Sequence, residues 1–184
     1  MTIYLIRHGK TCANEEHLYC GSTDLPLSQA GIEELCKLNY RIPCTRYLTS
    51  GKKRTEETLE LLFGKVPHQV EPAFREVDFG EFEMYSYEQL RHRSDYQAWL
   101  TGDNERNVPP GGESGEQMRR RVIAAFSLLR EDTVVITHGG VIASIMEYCF
   151  PKEHKNRYQW QPAPGHGYAI SGQTYWSLPK CTAP

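Results

Sequence analysis

Two short segments hold the residue types best suited to chemistry. Arg7-His8-Gly9 closes the apolar run Thr2-Ile3-Tyr4-Leu5-Ile6, and His138-Gly139-Gly140 closes Thr133-Val134-Val135-Ile136-Thr137. Both runs are continuous and rich in β-branched residues, the pattern of strands buried on both faces of a parallel sheet. In open α/β sheets ligands bind beyond the carboxyl ends of the strands. Two parallel strands that end this way bring His8 and His138 to one rim, and the glycine behind each allows close backbone approach. A lone histidine after a strand is ordinarily a satisfied core residue. Two in the same setting, one of them beside Arg7, point to a shared role.

Arginine presents a planar fork of donors that matches phosphate or carboxylate. Histidine serves as a nucleophile through one ring nitrogen, or as an acid and base near neutral pH. Two imidazoles and an arginine together suggest phosphoryl transfer through a phosphohistidine, with cations around the transferred oxygens. Cysteine-based phosphatase chemistry fits less well, because neither Cys12 nor Cys20 opens an arginine-containing anion loop of its own. Gly9-Lys10-Thr11 imitates the end of a P-loop, but the glycine required five residues earlier is Tyr4. A nucleotide triphosphatase is excluded on that ground.

The 184 residues suit one domain, large enough to fold without disulfides or metal. Lys and Arg number 21 against 23 Asp and Glu, a net charge of −2, which gives no support to a nucleic-acid or anionic-membrane partner. No apolar run approaches the ~18 residues of a membrane span. Arg7 and His8 cut the first apolar segment too short for a signal peptide, so a cytoplasmic protein is expected. The six cysteines (Cys12, Cys20, Cys36, Cys44, Cys149, Cys181) show no C-x-x-C spacing, and in that compartment read as reduced thiols. The seven histidines form no zinc pattern, and no metal site is expected.

The elements that must hold the two histidines follow from periodicity. Ser28 reads as the N-cap of a helix carrying Ile32, Leu35 and Leu38. Tyr47-Leu48-Thr49 reads as a short strand, followed by a helix with Thr58, Leu59, Leu61 and Leu62, and Gln69-Val70-Glu71 as another short strand. From Phe74 to Gly112 the pattern loosens among many aromatics, which suggests a partly helical cap over the sheet edge. Ser114 opens a helix with Met118, Val122, Phe126 and Leu129 on one stripe, and another helix runs from Val141 to Phe150. Gly167 to Leu178 supplies one or two edge strands. Alternating strands and helices predict an α/β fold of three layers, a mostly parallel central sheet flanked by helices. The chain is expected to form a single domain over 1–184, with a cap-like insertion at about 84–112.

Five blocks carry a family resemblance: Arg7 to Asn14, Gly21 to Gly31, Thr49 to Thr58, Arg75-Glu76-Val77-Asp78-Phe79-Gly80, and Thr137-His138-Gly139-Gly140. Together they resemble the histidine phosphatase superfamily, which includes the cofactor-dependent phosphoglycerate mutases. The resemblance implies a phosphoglycerate mutase-like fold. It implies that His8 is the nucleophile that becomes phosphorylated, and that Arg7, Arg54 and His138 hold the phosphoryl group. Asn14 and Gly139 would assist, Cys20 and Gly21 fall in the substrate loop, and Glu76 would be the general acid and then the base. Without the resemblance, Glu76 and Arg54 read as solvated charges, and Arg119-Arg120-Arg121 keeps that reading as the polar face of a helix.

The chain also departs from the mutases. Cys20 stands where they have serine, Met84 follows Glu83 where many members have glycine, and the stretch from Glu76 to Gly112 is too short for the mutases' cofactor-binding insertion. Glu81 to Met84 and Pro110 to Ser114 are more similar to the α-ribazole phosphatase branch. The expected function is a phosphomonoesterase for a small phosphorylated substrate, such as α-ribazole 5′-phosphate, with no cofactor. Tyr85, Tyr96 or Trp99 would stack on its base. A phosphoglycerate mutase is the alternative, and a non-catalytic phosphoester-binding module a third reading. Nothing in the sequence gives the oligomeric state.

Overall fold

The structure is a computed structural model that describes residues 1–103 and 105–179. Cys181, and Asn104 within the cap segment, lie outside the described residues.

The chain begins with β1 (Thr2–Arg7), α1 (Cys12–Glu15), α2 (Gln29–Leu35), β2 (Tyr47–Thr49), α3 (Lys53–Phe63) and β3 (Gln69–Val70). Two short 3₁₀ turns, Pro72–Phe74 and Gly80–Phe82, lead to α4 (Tyr87–Leu90) and α5 (Ser94–Leu100). Then come α6 (Gly115–Phe126), β4 (Thr133–Thr137), α7 (Gly139–Cys149), α8 (Arg157–Trp160), β5 (Gly167–Ser171) and β6 (Thr174–Leu178). The strands form one sheet in the order β3-β2-β4-β1-β5-β6. β1, β2, β3 and β4 run parallel, β5 pairs antiparallel with β1, and β6 pairs antiparallel with β5.

Strand side chains alternate between faces, and this divides the core in two. Ile3, Leu5, Leu48, Val135 and Ile170 pack with Met118 and Val122 of α6 and with Val141, Ile145 and Met146 of α7. Ile6, Tyr47, Val134, Ile136 and Ala169 pack on the other face with Leu59 of α3. Helices thus cover both faces of a mostly parallel sheet, giving three layers. Leu5, Ile6, Val135 and Ile136 are all fully buried, each contributing roughly 1.5–3 kcal/mol. The strand ends that carry the histidines therefore stand on the most heavily packed part of the molecule.

Helix starts follow side-chain capping. Ser28 Oγ accepts from the Gly31 N–H at 3.1 Å. Ser114 and Gln117 form a capping box, Oγ accepting from Gln117 N–H at 3.1 Å and Oε1 from Ser114 N–H at 2.7 Å.

Some expected boundaries shift. α2 ends at Leu35 and α6 at Phe126, so Leu38 and Leu129 pack from the turns beyond, while α7 starts at Gly139 rather than Val141. β5 lies inside the sheet between β1 and β6, and β6 is the outer strand. The 84–112 segment does not flank an outer strand. Trp99 and Leu100 share a cavity wall with Arg7 and Gly140, so the segment lies over the carboxyl ends of the two central strands. Its buried residues Leu90 and Tyr96 form a small core with Phe82, edged by Tyr19, Phe79 and Trp99. No described helix is long and apolar enough to cross a membrane.

Candidate active site

Arg7 is paired with Thr137 in the last rung between β1 and β4, and the His8 N–H donates to the Thr137 carbonyl at 2.9 Å. His8 and His138 therefore leave the sheet side by side, with ring centroids 5.1 Å apart at 66°. Both rings are buried, His138 completely and His8 with 6% of its surface exposed.

The hydrogen bonds fix where their protons sit. His8 Nδ1 lies 2.6 Å from the Gly9 carbonyl. A carbonyl only accepts, so Nδ1 carries a proton and, in the neutral ring, Nε2 keeps a free lone pair. For His138 the assignment runs through a relay. Thr55 Oγ1 donates to the Lys52 carbonyl at 2.7 Å, accepts from Ser50 Oγ at 3.2 Å, and so leaves Ser50 Oγ to accept from His138 Nε2 at 2.8 Å. His138 Nδ1 is buried without a hydrogen-bond partner, as is Arg7 Nε. Burial first, then the Arg54 charge, holds both imidazoles well below the ordinary histidine range; Arg7 pushes each further down. Both rings are neutral near pH 7.

Arg54 enters from the first turn of α3 and is almost wholly buried, with 1% of its surface exposed. Its Nη1 donates to the Thr23 carbonyl at 2.7 Å and its Nη2 to the Gly21 carbonyl at 2.8 Å. A guanidinium has five donors, so others remain for an oxyanion. Arg7 Nη1 donates to the Pro162 carbonyl at 2.9 Å. Burial lowers the Arg7 pKa, and the nearby Glu76 charge opposes that shift.

Glu76 follows the Pro72–Phe74 turn. Its Oε2 accepts from the Gly140 N–H at 2.8 Å and its Oε1 from the Val77 N–H at 3.0 Å. Arg121 of α6 steadies this segment. It donates to the carbonyls of Ala73 (2.8 Å), Arg75 (2.8 Å) and Glu76 (3.0 Å) and pairs with Glu113. The expectation that all of Arg119-Arg120-Arg121 faces solvent therefore fails for Arg121, because its planar fork fits three backbone carbonyls of one segment.

Arg7, Asn14, Cys20 and Glu76 line a cavity of about 320 Å³ together with Gly140 and the aromatic rings of Tyr19, Phe79 and Trp99. His8, Arg54, His138 and Gly139 do not line that cavity, though Arg54 stands close enough to both imidazoles to lower their pKa values. Asn14 Oδ1 accepts from the Thr11 N–H and Oγ1 at 3.0 and 3.1 Å. Cys20 is a thiol, its pKa pushed up by burial, with Sγ 3.7 Å from the Thr23 carbonyl. Gly21 does not reach the cavity. Its N–H is committed to Glu83 and its carbonyl to Arg54, so its expected contact with substrate gives way to a supporting one. Of the aromatics expected to stack on a base, only Trp99 lines the cavity; Tyr96 is buried in the cap core and Tyr85 is exposed.

Sequence reasoning missed Ser50, Glu83 and Arg121 as supports. Only Ser50 left a signal, standing within the Thr49-to-Thr58 block. Apart from Phe79 and Glu113, the partners of Glu83 and Arg121 lie about 45 to 62 residues away along the chain, a distance that no local pattern reports.

Arg7 and Glu76 thus meet at one cavity, and the neutral His8 imidazole, the His138 imidazole and the Arg54 guanidinium lie close to one another beside it. Such a set can receive an oxyanionic group on nitrogen and exchange a proton beside it. Comparisons with known proteins place the chain in a family. The family model described as histidine phosphatase superfamily (branch 1) matches residues 3–173. The adenosylcobalamin/alpha-ribazole phosphatase of Salmonella typhimurium is 32% identical over 158 residues, 79% of this chain and 78% of that protein. The structure of a candidate alpha-ribazole-5′-P phosphatase from Escherichia coli K-12 superposes with a TM-score of 0.82 at 28% identity, covering 96% of this chain and 94% of the other. A phosphoglycerate mutase from Thermus thermophilus gives a TM-score of 0.73 at 28% identity, covering 93% of each chain.

Proposed function

The chain belongs to the histidine phosphatase superfamily, branch 1, and from that membership we propose that it is a phosphomonoesterase acting through a phosphohistidine on His8. The observation that carries this reading is the His8 ring, whose Nδ1–H is held by the Gly9 carbonyl so that Nε2 is free to attack. In the first step Nε2 bonds to phosphorus and the ester P–O bond breaks. Glu76 gives its proton to the leaving alkoxide. In the second, water attacks the phosphohistidine, Glu76 takes the proton from that water, the P–N bond breaks and inorganic phosphate leaves. Arg7, Arg54 and His138 would stabilise the transferring oxygens, with Asn14 assisting. The two guanidiniums would supply the charge a metal otherwise provides, His138 being neutral.

The leaving group would lie under the 84–112 segment, which we take as a cap. Tyr19, Phe79, Trp99 and Leu100 give that side a largely apolar, aromatic wall, a surface suited to the base of α-ribazole 5′-phosphate. Among the described residues lining the cavity the cations are Arg7 and Arg157, and Arg157 is paired with Glu105. A carboxylated sugar phosphate, as a mutase requires, would find less there.

The test is release of inorganic phosphate from a panel of phosphate esters, α-ribazole 5′-phosphate included, with EDTA present. The expected result is hydrolysis with the highest kcat/KM for an ester bearing an aromatic group. Interconversion of phosphoglycerates without phosphate release would overturn the reading, as would activity that vanishes on chelation.

A further inference from the structure

The turn 21–23 directs its two polar faces at opposite charges. On one face the Glu83 carboxylate accepts from the N–H groups of Gly21 (2.9 Å), Ser22 (2.9 Å) and Thr23 (3.2 Å), and from Thr23 Oγ1 (2.7 Å). It also accepts from the Phe79 N–H at 3.1 Å. On the other face the carbonyls of Gly21 and Thr23 accept from Arg54, and the Ser22 carbonyl accepts from Lys52 Nζ. The turn has no slack, since a Cβ on Gly21 would stand 1.6 Å from the Val77 carbonyl oxygen.

Glu83 itself does not line the cavity. We infer that Glu83 is a positioning residue for the anion pocket, acting through the turn 21–23 to fix where Arg54 presents its remaining donors. Hydrogen bonds to an ionised carboxylate are the strong kind, and several of them on one short turn leave its carbonyls a single direction. Arg54, held by two of those carbonyls, inherits that direction. Glu83 also stands where the cap begins. Met84 N–H donates to the Tyr19 carbonyl at 2.7 Å and Tyr19 N–H to the Tyr85 carbonyl at 3.0 Å. One side chain thereby ties the leaving-group wall to the phosphate floor. The inference rests on the phosphatase reading given above.

The experiment is a double-mutant cycle on the intact chain with inorganic phosphate as the probe. Phosphate binding is measured by calorimetry for wild type, Glu83→Gln, Arg54→Ala and the double variant, with thermal melts to verify folding. Glu83→Gln is expected to weaken phosphate about 10-fold when Arg54 is present and less than about 2-fold when it is absent, the non-additivity of groups acting as a unit. With p-nitrophenyl phosphate, KM is expected to rise more than kcat falls, and Glu83→Asp to recover part of the loss. Equal weakening in both backgrounds overturns the inference, because a merely structural role would not depend on Arg54. Should Glu83→Gln melt below the assay temperature, Thr23→Val removes one donor and keeps the carboxylate. The same dependence on Arg54 at smaller size is then expected, and an Arg54-independent effect overturns it. A wild-type chain that neither binds phosphate nor hydrolyses the ester overturns the phosphatase reading as well; an active wild type with uncoupled variants overturns this inference alone.

Discussion

The backbone N–H of Gly140 donates to Oε2 of Glu76 across 2.8 Å, so the carboxylate hangs from the start of the helix that His138 caps. A Cβ on Gly140 would stand 2.4 Å from Glu76 Oε1. What it meets is the end of a flexible side chain, so the fold can yield where the chemistry cannot. Gly140→Ala should lower turnover of p-nitrophenyl phosphate by about 10²-fold or more, within the worth of general acid–base help. The melting temperature should move by no more than about 2–4 °C, the shift that about 1 kcal/mol gives in a chain of this length. Unchanged turnover would count against the role given to Glu76.

His8→Ala should abolish both turnover and the acid-labile phosphoenzyme, since the Nε2 lone pair left free by the Nδ1–H bond to the Gly9 carbonyl is the proposed nucleophile. Rapid quench with radiolabelled ester reads the intermediate directly. Label that still appears on the variant chain would sink the mechanism.

Glu76→Gln keeps the size of the side chain and removes its proton. Hydrolysis of an alkyl phosphate should slow by about 10²- to 10⁴-fold. A nitrophenyl ester should suffer less in its first step, because nitrophenolate leaves without needing a proton. Equal losses for both esters would speak against a general acid.

Acid should act on activity and stability together. The pKa values of His8 and His138 are held well below the ordinary 6.5 by burial and the Arg54 charge. Between those depressed values and 6.5 the unfolded chain binds more protons than the folded one. Stability is therefore fully present above about pH 6.5 and is lost as pH falls toward the folded-state values, by at most about 1.4 kcal/mol per pH unit for each ring. Thermal melts from pH 8 to 5 should show this fall, and His138→Gln should flatten it. Loss of kcat/KM on the acid side should likewise begin below 6.5, where His8 would protonate. A melting temperature that rises on acidification would contradict the assignment.

Ser50 should hold the His138 proton on Nε2 through the relay to Thr55 and the Lys52 carbonyl. Nitrogen-15 NMR of the imidazoles should find that tautomer in the wild type and a shift away from it in Ser50→Ala. Identical His138 signals in both would remove the relay.

The two strand ends were the most legible part of the molecule. Ile3 to Ile6 and Val134 to Ile136 read as buried strands because they are buried on both faces, and each histidine stands where its strand stops. Arg54 and Glu76 were different. As sequence they are an arginine in a basic run and one acid among many, and only a family resemblance raised them. What makes them exceptional is burial against carbonyls and helix N–H groups from distant segments. Gly21 was assigned to the substrate for the same reason in reverse, since its place in a motif says nothing of the carboxylate beneath it. Met84 shows a third case. It stands where the family resemblance leads one to expect glycine, and it has φ +64°, a left-handed backbone that a side chain tolerates at some cost; a local pattern cannot reveal which residues bear such a cost.

The guanidinium of Arg7 rests on the Pro162 carbonyl, its backbone N–H on the His166 carbonyl, and its own carbonyl receives the Gly165 N–H. The reactive end of the first strand to be synthesised is thus completed by some of the last segments. Residues 162–166 thus brace the end of β1, and cutting the chain between Trp160 and Pro162 would loosen Arg7 from a point some 155 residues away.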